Sequence, residues 1–163
     1  MNDTTITGDS AIAVRDAVRE LKSEGEISNS PIFVPISSTG HSSHRDQPLL
    51  LIPLYLWLLP IPQEDTAVLE KAVREATAQP NSALGGYVML RPPLLTNGPL
   101  KGTGSLRVGW VWEDEKYRND NEQETGVEVG YTIGRLDLAR WMFEQLVEGD
   151  VQRWNGKCVN ITY

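Results

Sequence analysis

The chain is expected to fold as an α/β domain, a parallel sheet with flanking helices, and three observations lead there. Its short apolar runs, Ile32-Phe33-Val34-Pro35-Ile36 and Tyr87-Val88-Met89-Leu90, show no apolar/polar alternation, the pattern of strands covered on both faces. Segments with helical spacing of apolar residues separate these runs, giving the helix–strand alternation of a parallel sheet. Both runs end abruptly, one in Ser37-Ser38-Thr39-Gly40 and the other in Arg91-Pro92-Pro93-Leu94-Leu95-Thr96-Asn97-Gly98. Two prolines after a buried strand stop its ladder and set a rigid loop at its carboxyl end, the edge at which ligands of open α/β sheets sit.

The first helix is expected over Ser10–Lys22, capped by Asp9 or Ser10, closed by Gly25, with Val14, Ala17, Val18 and Leu21 facing inward. The strand Pro31–Ile36 follows, then a helix over Asp65–Ala78 burying Leu69, Ala72, Val73 and Ala76. Pro80-Asn81-Ser82 ends that helix, and Gly85-Gly86 leads into the strand Tyr87–Arg91. Leu106–Trp112 and Val127–Thr132 read as an antiparallel pair joined by an acidic, mobile loop. A third helix, Leu136–Val147, buries Leu138, Trp141, Met142 and Leu146; Asn155-Gly156 then turns the chain into a last strand, Cys158–Thr162.

At 163 residues, 40% hydrophobic and 23% charged, the chain has the composition of one ordered domain, 1–163, with a core of its own. A net charge of −7 argues against nucleic acid or an anionic membrane as partner, both of which need a basic face. The acidic excess in Glu113–Glu128 reads as a solvated loop. A single Cys158 excludes an internal disulfide and a cysteine-rich zinc site. The polar start, Met1-Asn2-Asp3-Thr4-Thr5, lacks a signal-peptide pattern, so a cytoplasmic, reducing location is expected. Pro48–Pro60 is strongly apolar but too short to span a bilayer and carries Pro53; it reads as a buried or partner-facing segment.

His41, His44 and Asp46 lie close in sequence but lack clean ligand spacing, so they read as a polar loop and no metal is expected. Tyr55, within the apolar Leu54–Leu59 run, is a candidate proton donor as well as a packed aromatic.

Four stretches, Ile36-Ser37-Ser38-Thr39, Arg91-Pro92-Pro93-Leu94-Leu95, Tyr131-Thr132-Ile133-Gly134-Arg135-Leu136-Asp137-Leu138-Ala139 and Gly156-Lys157-Cys158, carry a family resemblance by their order and spacing. With them the chain, from about Asp9 to Tyr163, resembles the carboxyl half of the atypical short-chain dehydrogenases/reductases, of the NmrA-like and flavin/biliverdin reductase types. The resemblance implies a partial Rossmann-like parallel sheet lacking the amino-terminal glycine-motif half, with NAD(P)H as the family cofactor. It implies that Ser38, with Ser37 beside it, lies next to the nicotinamide and hydrogen-bonds a reacting carbonyl, and that Pro92, Pro93, Leu94 and Leu95 pack on the nicotinamide face. Ser38 and Tyr55 are then the candidate catalytic residues. Asp137 reads as structural, at the start of the third helix. Two departures accompany this. No G-x-G-x-x-G follows a first strand, Gly102-Thr103-Gly104 being no substitute, and the position of the family's lysine is taken by Thr66.

Three functions stay open: an NAD(P)H-dependent reductase of a small carbonyl or related substrate; a truncated, non-catalytic interaction module; and a cofactor-independent isomerase or lyase using Ser38, Tyr55, His41 and His44. NAD(P)H binding by this chain alone is expected to be weak or absent. Self-association or partner binding is expected through the incomplete sheet, whose Pro31–Ile36 edge is partly blunted by Pro31 and Pro35.

Overall fold

Alternate residues of one strand point to opposite faces of a sheet, and the two cores of this protein follow from that rule. Val88, Leu90, Val159, Ile161, Trp110 and Trp112 join Ile133, Leu138, Trp141 and Trp154 in one cluster. Tyr87, Met89, Val111 and Cys158 join Ala11, Leu69 and Val73 in the other. Apolar residues in unbroken runs therefore serve both faces at once. The computed structural model describes residues 5–53, 57, 60–79 and 81–163.

The elements run α1 (Ile6–Ser23), β1 (Ile32–Phe33), α2 (Pro60–Ala78), β2 (Gly86–Tyr87), β3 (Met89–Leu90), β4 (Leu94–Thr96), β5 (Arg107–Trp112), β6 (Thr132–Gly134), α3 (Arg135–Met142) and β7 (Lys157–Thr162). β1 pairs parallel with β2, and β3 pairs parallel with β7. The amides of Val88 and Leu90 donate to the carbonyls of Phe33 and Pro35, so residues 31–37 and 85–91 lie side by side beyond the short named strands. β5 closes the other side, antiparallel to β7 from Arg107↔Thr162 to Trp112↔Lys157. After Pro92-Pro93 the chain leaves this sheet, and β4 pairs parallel with β6 as a separate ribbon.

Helices α2 and α3 bury what their spacing predicts: Leu69, Ala72, Val73 and Ala76 on one, Leu138 and Trp141 on the other, with Met142 and Leu146 half-buried. α3 continues through a π turn, Phe143–Val147. α1 differs from expectation. It buries Gly8 and Ala11, with Ile12, Arg15, Val18 and Lys22 half-buried, whereas Val14, Ala17 and Leu21 are exposed. The contact with α2 decides this. The amides of Thr7 and Gly8 donate to the Asp65 carboxylate at 2.9 Å each, and a side chain at Gly8 would meet Val68 at 2.7 Å. Close approach selects the small residues, which an apolar count does not register.

The expected hairpin is also corrected. β5 takes β7 as its strand partner, and residues 124–128 cover its outer edge mostly with side chains. Trp110 N donates to Thr125 Oγ1 at 3.0 Å and Trp112 N to Glu124 Oε1 at 2.8 Å, with one bridge, Trp110↔Gly126. Gly109 permits that approach, since a Cβ there would lie 2.4 Å from the Gly126 carbonyl. Nor is the acidic segment simply a solvated, mobile loop. Glu113 is held by two arginines, and Glu122 pairs with Lys157. Lys157 is 2% exposed, and its ammonium lies 3.8 Å from the Trp110 ring centroid and also faces Trp112 and Trp154. A buried cation so ringed holds its carboxylate partner in place.

Asp137 is structural and lies in the first turn of α3, as expected. Its carboxylate accepts from the amides of Lys101 and Gly102 and from the Tyr163 hydroxyl at 2.6 Å, tying a loop and the last residue to the helix. The prolines of the 31–36 strand do not blunt its open edge. N–H and C=O of one strand residue point to the same side, and residues 33, 35 and 37 face the 85–91 strand. The prolines thus lie on the paired side, while the backbone groups of Ile32, Val34 and Ile36 point the other way, where no described residue pairs with them. Ile36 is 43% exposed there.

Candidate functional site

Strand pairing continues past the named strands at the carboxyl edge of the sheet and fixes the loop that carries the candidate serines. Ser37 N donates to Leu90 O at 2.7 Å and Thr39 N to Pro92 O at 3.3 Å. With the backbone extended, Ser37 and Ser38 face different surroundings. The Ser37 hydroxyl, 6% exposed, donates to Glu70 Oε1 at 2.7 Å. The Ser38 hydroxyl is half-buried on the other side. It accepts from Gln63 Nε2 at 3.2 Å, lies 3.5 Å from Thr66 Oγ1, and its own proton reaches toward the Thr39 carbonyl at 3.3 Å. Because Gln63 supplies a donor, the Ser38 proton is the end left to give to an incoming oxygen.

The following turn is anchored at several points. The carbonyl of Thr39 accepts from the side-chain amides of Gln47 and Gln63 at 3.1 Å each. Gly40 N donates to Asp46 Oδ1 at 2.9 Å, and Asp46 also accepts from Asn160. Burial pushes the Asp46 carboxyl above its usual range, and the Gly40 amide and the Arg91 charge oppose that only in part. His41 Nε2 lies 2.7 Å from Thr66 Oγ1. His44 contacts Ser43, and the described residues hold no cluster of three or more His, Cys, Asp or Glu side chains suited to a metal.

Beneath this loop is a buried ionic cluster. Arg91 is fully buried. Its guanidinium forks onto Glu70 (2.8 and 2.6 Å) and onto Glu113 (2.7 and 2.9 Å), and donates to His41 O at 3.2 Å. Arg74 donates to Glu113 at 2.8 Å and to Glu70 at 3.3 Å. Two cations face two anions with paired geometry, the condition under which burial of charge is tolerated. Burial alone would raise Glu113, but the hydrogen bonds and charge of Arg91, with Arg74 beside it, bring it down to about 2. Glu70 is lowered by the same contest, helped by the Ser37 hydroxyl. Burial pushes the Cys158 thiol up to about 11, so it is not a nucleophile near neutral pH. His41, Glu70, Arg74, Glu113, Ala67 and Lys71 line a hollow of about 440 Å³ above the cluster, with Glu75 at its margin.

Ser37, Ser38, Pro92 and Pro93 thus meet at one edge of the sheet, the two prolines buried. Leu94, 53% exposed, opens β4, with Leu95 half-buried after it. Tyr55 lies outside the described residues. Sequence reasoning did not find the Glu70–Arg91–Glu113 cluster or the His41–Thr66 contact. One signal was available: an arginine placed at the end of an apolar strand has to find carboxylates.

The edge presents a hydroxyl held by Gln63 and an apolar, partly exposed leucine, groups of the kind that a nicotinamide ring and its carboxamide pack against. A pyrophosphate site needs free amides at a helix start. Those of Thr7 and Gly8 in α1 are taken by Asp65, and α2 opens on Pro60-Ile61-Pro62, two of which have no N–H. Gly134 N, at the start of α3, donates to the Tyr163 hydroxyl.

Known proteins share this architecture. A wide-type short-chain dehydrogenase/reductase of Veillonella parvula DSM 2008, solved in complex with NADP, superimposes with a TM-score of 0.62 at 18% identity over 96% of this chain and 58% of its own. The fold is that of the short-chain dehydrogenases/reductases. An ethylated form of a short-chain dehydrogenase/reductase from the same organism gives 0.60 at 17% identity, covering 94% of this chain and 57% of that one. In sequence the chain is 38% identical to reductase pytE of Aspergillus terreus, over its whole length and 59% of the relative's. It is 29% identical to oxidase pynE of Aspergillus niger, over 83% of this chain and 46% of that protein. The chain therefore spans roughly half to three-fifths of the curated relatives it matches. No family model matches it. The expected resemblance is borne out in the sheet of short-chain dehydrogenase/reductase type and in a relative named as a reductase. No described helix is long and apolar enough to cross a membrane.

Proposed function

We propose that this chain supplies the nicotinamide-side and substrate-side part of an NAD(P)H-dependent reductase site for a small carbonyl or related substrate. The observation that carries this reading is the Ser38 hydroxyl, held at the carboxyl edge of the short-chain dehydrogenase/reductase sheet by the Gln63 amide, its own proton resting on the 3.3 Å contact to the Thr39 carbonyl. A bound dihydronicotinamide supplies a hydride. Ser38 holds the accepting oxygen and gives it a proton, Gln63 keeps the serine in that orientation, and Leu94 shields the face of the ring. The buried Arg91 cluster keeps the loop and β3 in register. The reductase name of the 38%-identical relative supports the reading.

The isolated chain is expected to bind NADPH more weakly than about 1 mM, less than about 4 kcal/mol of binding free energy, because the edge engages one end of the dinucleotide. Quenching of tryptophan fluorescence during a titration checks this; saturation in the micromolar range contradicts it. Any binding that does appear should weaken in Ser38→Ala and in Pro93→Gly.

A partner surface accompanies the site. The open edge at Ile32, Val34 and Ile36 and the exposed Val14, Ala17 and Leu21 of α1 support association with a second copy or another chain. Leu49, Leu50 and Trp57 are exposed as well. Sedimentation equilibrium should show mass rising with concentration; a monomer at every concentration contradicts association.

A further inference from the structure

We propose that His41, acting through Thr66, is the proton reservoir of the Ser38 hydroxyl. The inference rests on the reductase reading for its purpose, but on three contacts for its existence. His41 Nε2 lies 2.7 Å from Thr66 Oγ1, Thr66 Oγ1 lies 3.5 Å from Ser38 Oγ, and Gln63 donates to Ser38 from the side. Acceptors within reach of the Thr66 proton include the Gln63 carbonyl at 3.1 Å and Ser38 Oγ. Rotation from the first to the second joins imidazole, threonine and serine in one donor chain. A threonine cannot hold a spare proton at any working pH, whereas an imidazole takes one up as pH falls, and burial puts that uptake by His41 on the acid side of its ordinary value. Thr66 therefore conducts and His41 stores.

A carbonyl carbon takes hydride from a dihydronicotinamide while its oxygen takes the Ser38 proton. Ser38 takes the Thr66 proton, Thr66 takes the Nε2 proton of the imidazolium, and a neutral imidazole remains. His41 lines the 440 Å³ hollow, through which the imidazole takes up its next proton from solvent. The charged groups around it are Glu70, Lys71, Arg74 and Glu75 of α2, Arg91 after β3, Glu113 after β5 and Asp46 of its own loop. Burial lowers the His41 pKa, with Glu70 opposing and Arg91 assisting. Because it acts through two hydroxyls, His41 is a positioning residue and Ser38 the one that meets substrate.

The test needs neither cofactor nor substrate. In the full chain, histidine ring signals, assigned with His44→Gln, and the Ser38 Cβ signal are followed by NMR across a pH titration. The Ser38 signal should move with the same midpoint as the His41 ring, below 6.5. That response should be lost in Thr66→Val and in His41→Gln and restored in Thr66→Ser, whose spectra also report an intact fold. A Ser38 signal indifferent to His41 in the wild-type chain, or one whose response survives Thr66→Val, overturns the relay. Neither result touches the cofactor reading, which the NADPH titration tests separately.

Discussion

Replacing Arg91 with methionine is expected to cost about 3–5 kcal/mol of folding free energy, the usual result of removing one partner from a buried charge pair. For a chain of this size that is a fall of roughly 10 °C in the melting temperature. The cause is what remains: Glu70 and Glu113, both nearly buried, would face each other with only Arg74 between them. Methionine fills much of the arginine's volume, so a cavity contributes little. Adding Glu70→Gln and Glu113→Gln to Arg91→Met should recover much of the loss, because the penalty belongs to uncompensated charge. Thermal melts of the two variants check this. A loss below about 1 kcal/mol for Arg91→Met alone would show that the cluster does not brace the site.

Acid should act on the same cluster. Glu113 is held at about 2 against an ordinary value of 4.5, and Glu70 is lowered too. A carboxylate depressed in the folded state contributes stability that is fully present above its unfolded pKa and lost as pH falls through its folded one. The protein should therefore keep its full stability above about pH 5 and lose it steeply between about pH 4.5 and 2. Asp46, raised by burial, works the other way: its share is present at low pH and fades as pH rises through its raised folded value, softening the upper end of the transition. Denaturant melts from pH 7 to pH 2.5 measure this. In Glu113→Gln the acid loss should shrink; an unchanged pH dependence contradicts the assignment.

Much of this fold is legible in local pattern. The runs at 87–90 and 158–162 announce strands buried on both faces, and the Leu69/Val73 and Leu138/Trp141 spacings give the inward faces of α2 and α3. What is not legible depends on partners remote in sequence. β5 faces β7 rather than the nearer segment 127–132, because Lys157 and its ring of indoles favour that pairing and the Thr125 and Glu124 side chains satisfy the other edge. α1 turns on Gly8 and Asp65, 57 residues apart, a contact with no apolar signature. The site divides in the same way. Ser38 and Pro92–Leu95 follow from strand ends and family spacing, whereas Glu70, Arg91 and Glu113 come from three elements and meet only in the fold.

On the proposed reading, the carboxyl edge of this sheet receives the nicotinamide end of a dinucleotide, while the described residues supply no site for its adenosine end. Backbone NMR of the full chain during separate titrations with reduced nicotinamide mononucleotide and adenosine bisphosphate tests it most directly. Shifts are expected at Ser38, Thr39, Leu94 and Leu95 with the mononucleotide and none with the adenosine compound. Shifts produced by the adenosine compound, or mononucleotide shifts that bypass Ser38 and Leu94, would contradict it.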